Sequence, residues 1–419
     1  MHWYTMRWPV AVAGLLALLL VVVAATQVTL VPRESSTRPA TDPASRPADE
    51  PTTQPLPIRA ALLAVARADV DAGVAWLIQA QNDDGGWGKP KSHPAFTAMA
   101  LKVLVQHPQY HLDSPQVAKG YEFLLAHVQP DGGIYNPQLG HANYTTSLAV
   151  MALALSDRPA HRAAMGKAVG YLRGIQIKAG DKTPDGEAVT SEHPFYGGTS
   201  YGEHGRPDLN NLSYSIEALH AAGVPKDDPF FERAVVFLAR AQNRSESNDQ
   251  AWAAVVNDGG FAYAPRGGGP GGAPESKAGD VTADGRSGPR SYGSMTYAGF
   301  LSMLYANVSR DDPRVQGAYD WIRRYWRLDS NPNMPQARSK EGLFNYYQVF
   351  AKALRAYGRP VITDSRGVAH NWREELIEVL HERRRPDGSW VNAEDRWMES
   401  LPELVTGYSL LALQEALKP

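Results

Sequence analysis

Gly73-Val74-Ala75-Trp76-Leu77-Ile78-Gln79-Ala80-Gln81-Asn82-Asp83-Asp84-Gly85-Gly86-Trp87 reads as the end of an amphipathic helix, a tight glycine turn and an aromatic anchor. Val70, Val74, Leu77 and Ile78 recur at the spacing of one helix face. Gly85-Gly86 makes a turn that needs no side chain, and Trp87 offers a large apolar surface with a single donor. Beyond it, Ala95 to Leu104 is apolar nearly all round, the pattern of a helix buried on every side. The unit is an outer helix, a Gly-aromatic turn and an inner helix.

That unit recurs. The inner helices align on Leu104, Leu153, Leu219, Leu304, Leu354 and Leu413. The turn returns as Asp131-Gly132-Gly133-Ile134-Tyr135, Tyr196-Gly197-Gly198, Asp258-Gly259-Gly260-Phe261, Gly342-Leu343-Phe344 and Asp387-Gly388-Ser389-Trp390. Six such pairs, about fifty to eighty residues apart, predict an all-α fold, an α/α toroid of inner and outer helices. One pair cannot bury its apolar face alone, whereas six closing on one another leave no uncapped end.

Gly73, Trp76, Leu77, Gln81, Gly85 and Trp87 match the spacing of the QW motif of squalene and oxidosqualene cyclases. Over residues 70–415 the chain resembles the prenyltransferase and squalene-oxidase repeat family, whose fold is an α/α toroid. Only the first copy carries the whole motif: Val128 stands where the second should have glutamine, and Arg384 where the sixth should.

The chain has 419 residues, a net charge of −2 and no cysteine. The toroid takes residues 58–419. The charge gives no reason to expect nucleic acid, and the lack of cysteine excludes disulfides, thiolate metal sites and thiol nucleophiles. Residues 1–31 hold an apolar run from Pro9 to about Val31, long enough to span a bilayer. The run continues past Val23-Ala24-Ala25, a passable cleavage site, which favours an uncleaved anchor through residues 9–31 over a signal peptide. Both readings place the ring outside the cytoplasm, membrane-anchored in the first and secreted in the second. Residues 32–57, rich in Pro, Ser, Thr and Ala, read as an extended linker.

The activities that the resemblance implies lack their residues here. Class II terpene cyclases protonate an alkene with an Asp-x-Asp-Asp cluster, and this chain offers only Asn82-Asp83-Asp84 inside a turn. Protein prenyltransferases hold zinc through Asp, Cys and His, but with the inner helices aligned the cysteine position falls on Thr296 or Tyr346 and the histidine position on Val405. The histidines, such as His93, His141 and His193, match no metal motif, so neither metal nor cofactor is expected.

What remains is a polar and aromatic set near the starts of the inner helices. Tyr144, Asn211, Tyr214, Tyr297, Asn345, Tyr346 and Tyr347 are the expected ligand contacts, suited to an apolar, planar or sugar ring. Arg206 and Arg290 are the bases expected to meet an anionic head group where helix N-termini converge, although acids in the same loops can neutralise them. Singly, each Asn reads better as a helix cap and each Tyr as packing; taken as a set, the tyrosines point to a cavity lining. Asp208, Glu399 and Glu403 are the candidate catalytic carboxylates, with helix capping as the competing reading. The long loops at 179–208 and 243–290 read as lids or as surface insertions.

Three functions stay open: a cavity for an isoprenoid-like or other amphipathic ligand, a carbohydrate-active enzyme of the envelope, and a non-catalytic module that binds a protein partner. A deep aromatic cavity marks the first, facing carboxylates the second, and a filled ring centre the third.

Overall fold

The computed structural model describes residues 58–202, 205–267 and 271–418. The anchor or signal segment at 1–31 and the linker at 32–57 lie outside the described residues. Among the described residues no helix is long and apolar enough to cross a membrane.

Six inner helices, α2 (Pro94–Val105), α4 (Ala142–Leu153), α6 (Leu209–Ala221), α9 (Gly293–Tyr305), α11 (Leu343–Tyr357) and α13 (Pro402–Leu417), pack each against the next, and α13 packs back on α2. Outside them run α1 (Ala60–Ala80), α3 (Pro115–Leu125), α5 (Pro159–Gly174), α7 (Pro229–Ala241), α10 (Pro313–Arg324) and α12 (Trp372–Arg383). Four outer helices open on proline at N1, where the missing N–H costs nothing. The ring is closed, because α12 and α13 both pack on α1. Among the described residues sheet is confined to two hairpins, β1 (Asp280–Ala283) with β2 (Arg286–Pro289) and β3 (Val361–Thr363) with β4 (Ala369–Asn371). The 243–290 segment is neither bare loop nor a separate domain. It holds the one-turn α8 (Ala253–Val256) and the β1–β2 hairpin, which pack on each other.

The turns explain how one repeat grips the next. Gly85, Gly132, Gly197, Gly259 and Gly388 all have φ between 81° and 93° and sit against a backbone carbonyl of the following outer helix. A Cβ on Gly85 would lie 2.6 Å from the Lys119 carbonyl oxygen in α3, and one on Gly388 would lie 2.6 Å from that of Ala72 in α1. The motif glutamine acts across the same seam. Gln81 Nε2 donates to the carbonyls of Gly85 (2.8 Å) and Gln116 (2.9 Å), and Gln176 and Gln242 repeat this bridge. In the sixth copy Arg384 replaces glutamine and pairs with buried Asp69 of α1 at 2.8 Å.

The tryptophans of the first and last turns are anchored from both sides. Trp87 and Trp390 are fully buried, and their indole N–H groups donate to the carbonyls of Leu77 (2.7 Å) and Leu380 (2.8 Å). Their backbone N–H groups donate to Thr97 and Thr406 on the inner helices, as Ile134 does to Thr146 and Phe261 to Thr296. These threonines fasten turns to the ring.

Candidate ligand site at the mouth of the ring

Parallel inner helices bring six N-termini to one mouth, and carboxylates meet them there. Asp208 caps α6, accepting the Asn211 N–H (2.9 Å) and Asn211 Nδ2 (2.8 Å). Glu399 arrives from a neighbouring loop and accepts the N–H groups of Asn345 (2.8 Å) and Phe344 (3.3 Å) at the start of α11, with Asn392 Nδ2 at 2.7 Å. Burial pushes the Asp208 carboxyl up to about 6 and the Glu399 carboxyl up to about 7, against the donors that favour their charge. Glu403 lies in the first turn of α13. All three candidate acids thus stand where a helix dipole favours a negative group.

Between these ends lies a cavity of about 160 Å³. Phe96, Tyr144, Tyr214, Met295, Asn345 and Tyr408 line it, one from each inner helix. The long loops, the N-cap of α9 and the segment before α13 add Tyr201, Tyr263, Lys277, Tyr292, Trp397 and Met398. Tyr201, Trp397 and Met398 are about two-fifths exposed at its rim. Trp397 and Met398 hold left-handed backbone, with φ of 60° and 66°, which lays the indole against Gly342. A roomier groove of about 720 Å³, bordered by residues 324–339, is more polar and built largely from one connecting segment.

Three phenols form the floor. The hydroxyls of Tyr144 and Tyr408 are 2.9 Å apart, and Asn345 Nδ2 donates to Tyr214 at 3.2 Å. Burial raises all three, Tyr408 to about 12, so they remain neutral hydroxyls. Deeper along the axis, Glu217 of α6 accepts from Lys352 of α11 (2.6 Å) and Lys102 of α2 (3.5 Å). Burial opposes the Glu217 charge, but the two lysines prevail and hold its pKa below the ordinary value. The cavity is therefore blind, closed by hydroxyls and then by a buried ion triad.

Of the expected ligand contacts, the structure places Tyr144, Tyr214 and Asn345 on this wall. Asn211 lies behind it, engaged with Asp208. Tyr297 packs edge-on to Tyr346, whose hydroxyl donates to the Arg327 carbonyl (2.8 Å), and Tyr347 donates to that of Leu328 (2.5 Å). These three rings fill the α9–α11 region and tie it to the connection before it. Of the basic pair, Arg206 is ion-paired with Glu275, and neither Arg206 nor Arg290 is on the cavity wall. Of the candidate acids, Glu399 is on the wall, whereas Asp208 and Glu403 are not.

Sequence reasoning passed over His93, Tyr263, Lys277, Tyr292, Trp397, Met398 and Tyr408 as contacts. Tyr408 lies deeper along α13 than the helix starts, and most of the others come from connections. A search for aromatics inside the two long loops would have found Tyr263, whereas Tyr292 lies just beyond the second as the residue before α9.

Residues 90–264 match the family described as squalene-hopene cyclase C-terminal domain. No curated protein sequence matches the chain. Among solved structures, the alpha-1,6-mannanase from Salegentibacter sp. HEL1_6 is 10% identical, with a TM-score of 0.52 over 85% of this chain and 100% of that one. A type II terpene cyclase from Scytonema is 14% identical, with a TM-score of 0.45 over 85% and 98%. A protein from Actinoplanes is 16% identical, with a TM-score of 0.48 over 84% and 100%. By sequence over residues 90–264 the chain is similar to the squalene-hopene cyclase family, and by fold it shares its helical ring with a toroid glycosidase.

Proposed function

We propose that the mouth of the ring binds a small amphipathic ligand, isoprenoid-like in having an apolar body, by a ring-sized part held among aromatic side chains. The observation that carries this reading is the blind aromatic cavity of about 160 Å³. An apolar cavity of about that size takes up a single six-membered ring. The rest of a longer ligand would lie outward across Tyr201, Trp397 and Met398, because the ion triad blocks the way down the axis.

The same geometry argues against the chemistries of similar toroids. Protonating an alkene needs a strong acid, whereas Glu399, the one wall carboxyl among the described residues, has its pKa raised to about 7 and already receives three N–H donors. Glycoside hydrolysis needs two carboxylates facing the bond, and Asp208 is turned into its own helix cap. A binding function is what the side chains support.

The test is ligand-observed NMR on the full chain with small apolar ring compounds. Binding should be in the range of about 0.1–1 mM expected of fragments, and Met295→Trp, which fills the cavity, should abolish it without loss of the cooperative melt. Binding that survives Met295→Trp would place the ligand elsewhere. We also propose that residues 9–31 tether the ring on the extracytoplasmic face of a membrane. The support is the length of the apolar run, and release of the chain by alkaline carbonate would overturn it.

A further inference from the structure

The polar groups of the cavity are unevenly matched. His93 caps α2 by accepting the Ala95 N–H on Nδ1 at 3.1 Å, so the proton of the neutral ring sits on Nε2. Burial pushes this histidine down to about 4, which keeps it neutral. Among the described residues nothing accepts from that Nε2–H, which faces the cavity. Across the ring, Tyr292 is 2% exposed and lines the cavity, and its hydroxyl has no hydrogen-bond partner among the described residues. Beside it, Ser294 accepts Asn331 Nδ2 at 2.7 Å, which leaves its own O–H free to donate. Glu399 is the opposite case, an acceptor already supplied with donors.

These donors are also arranged. His93 opens α2, whereas Tyr292 and Ser294 open α9, and in the ring order α2-α4-α6-α9-α11-α13 those helices stand opposite each other. The wall between them is aromatic. Building on the reading of the mouth as a ring-binding cavity, we propose that its ligand is a planar ring with hydrogen-bond-acceptor oxygens on opposite edges, the chemistry of a 1,4-quinone. A donor that a bound ring covers without meeting loses its water and carries the desolvation cost, so an acceptor at each edge spares both sides at once. A pyranose brings a hydroxyl proton on nearly every ring carbon, and the wall offers side-chain amide oxygens at Asn210 and Asn345 alone among the described residues. A hydrocarbon ring leaves the donors unmet on both edges.

The test titrates the full chain with tetramethyl-1,4-benzoquinone, which has no ring hydrogen open to addition, with p-xylene, and with methyl α-mannoside. Isothermal titration calorimetry and saturation-transfer NMR read the affinities. The quinone should bind about tenfold more tightly than p-xylene. Tyr292→Phe removes one oxygen and no protein hydrogen bond, while His93→Ser keeps a capping side chain and deletes the donor. Each should weaken the quinone about three- to tenfold and leave p-xylene unchanged. Equal binding of quinone and p-xylene, indifferent to Tyr292→Phe, would overturn the inference and leave the cavity reading standing. Preferential binding of the mannoside would overturn it in favour of a sugar. If none of the three binds, the cavity reading falls as well.

Discussion

Gly388→Ala is the sharpest test of whether the ring closes. Gly388 has φ of 93°, and a Cβ there would lie 2.6 Å from the Ala72 carbonyl oxygen and 2.9 Å from its carbon. Those atoms are backbone of α1, so no side chain can swing aside. The substitution carries two costs: about 1–2 kcal/mol for an L-residue in left-handed backbone, and about 1–3 kcal/mol for forcing two packed elements apart. Gly367→Ala isolates the first, because Gly367 has φ of 86° in the β3–β4 turn and nothing within 4 Å of a built Cβ. Urea unfolding of the full chain should show Gly388→Ala destabilised by at least ~1 kcal/mol more than Gly367→Ala. Gly85→Ala, at an internal seam with the same 2.6 Å approach, should match Gly388→Ala. If Gly388→Ala costs no more than Gly367→Ala, the last turn does not rest on α1 and the closed ring is wrong.

Arg384→Gln restores the glutamine of other repeats but leaves buried Asp69 with His381 as its only ionic partner among the described residues; a loss of about 3–5 kcal/mol is expected, and no loss in urea unfolding would refute the seam pair. Trp87→Ala and Trp390→Ala should each cost about 3–5 kcal/mol; a smaller loss at either, in the same assay, would mean that the anchor is not buried in solution. Asp208 and Glu399 have folded-state pKa values raised to about 6 and about 7. Their protons are held more tightly in the folded chain, so that contribution is complete below about pH 4 and is lost as the pH rises through 6 and 7. The melting temperature of the chain relative to Glu399→Gln should therefore fall between about pH 5 and pH 8, and a pH-independent difference would contradict burial of the carboxyl.

The ring was legible because its signal is local and repeated. Gly85-Gly86-Trp87 and its copies mark five of the six hand-overs from outer to inner helix, and the leucine register marks every inner helix; the expected copy at Gly342-Leu343-Phe344 is instead the start of α11 itself. The site was half legible for a related reason. Tyr144, Tyr214 and Asn345 lie in the first two turns of inner helices, so the repeat itself points them at the mouth. Tyr297, Tyr346 and Tyr347 share that description, yet they turn into the space between α9, α11 and the 325–330 connection. Which way a tyrosine points around a helix start depends on neighbours that are distant in sequence. Trp397 was out of reach, since its position depends on two successive left-handed residues that no composition rule predicts.

The polar chemistry along the axis follows from the helices before any ligand is considered. Six parallel N-termini make the mouth electropositive, and the other end collects the opposite partial charge. The chain answers with Asp208, Glu399 and Glu403 at the first end and with Lys102 and Lys352 toward the second. Acids at this mouth are therefore owed to the scaffold, and their presence is weak evidence of catalysis. The groups that the scaffold leaves unused are the better guide to function. On the cavity wall they are the donors of His93, Tyr292 and Ser294, set on opposite sides of an aromatic cavity.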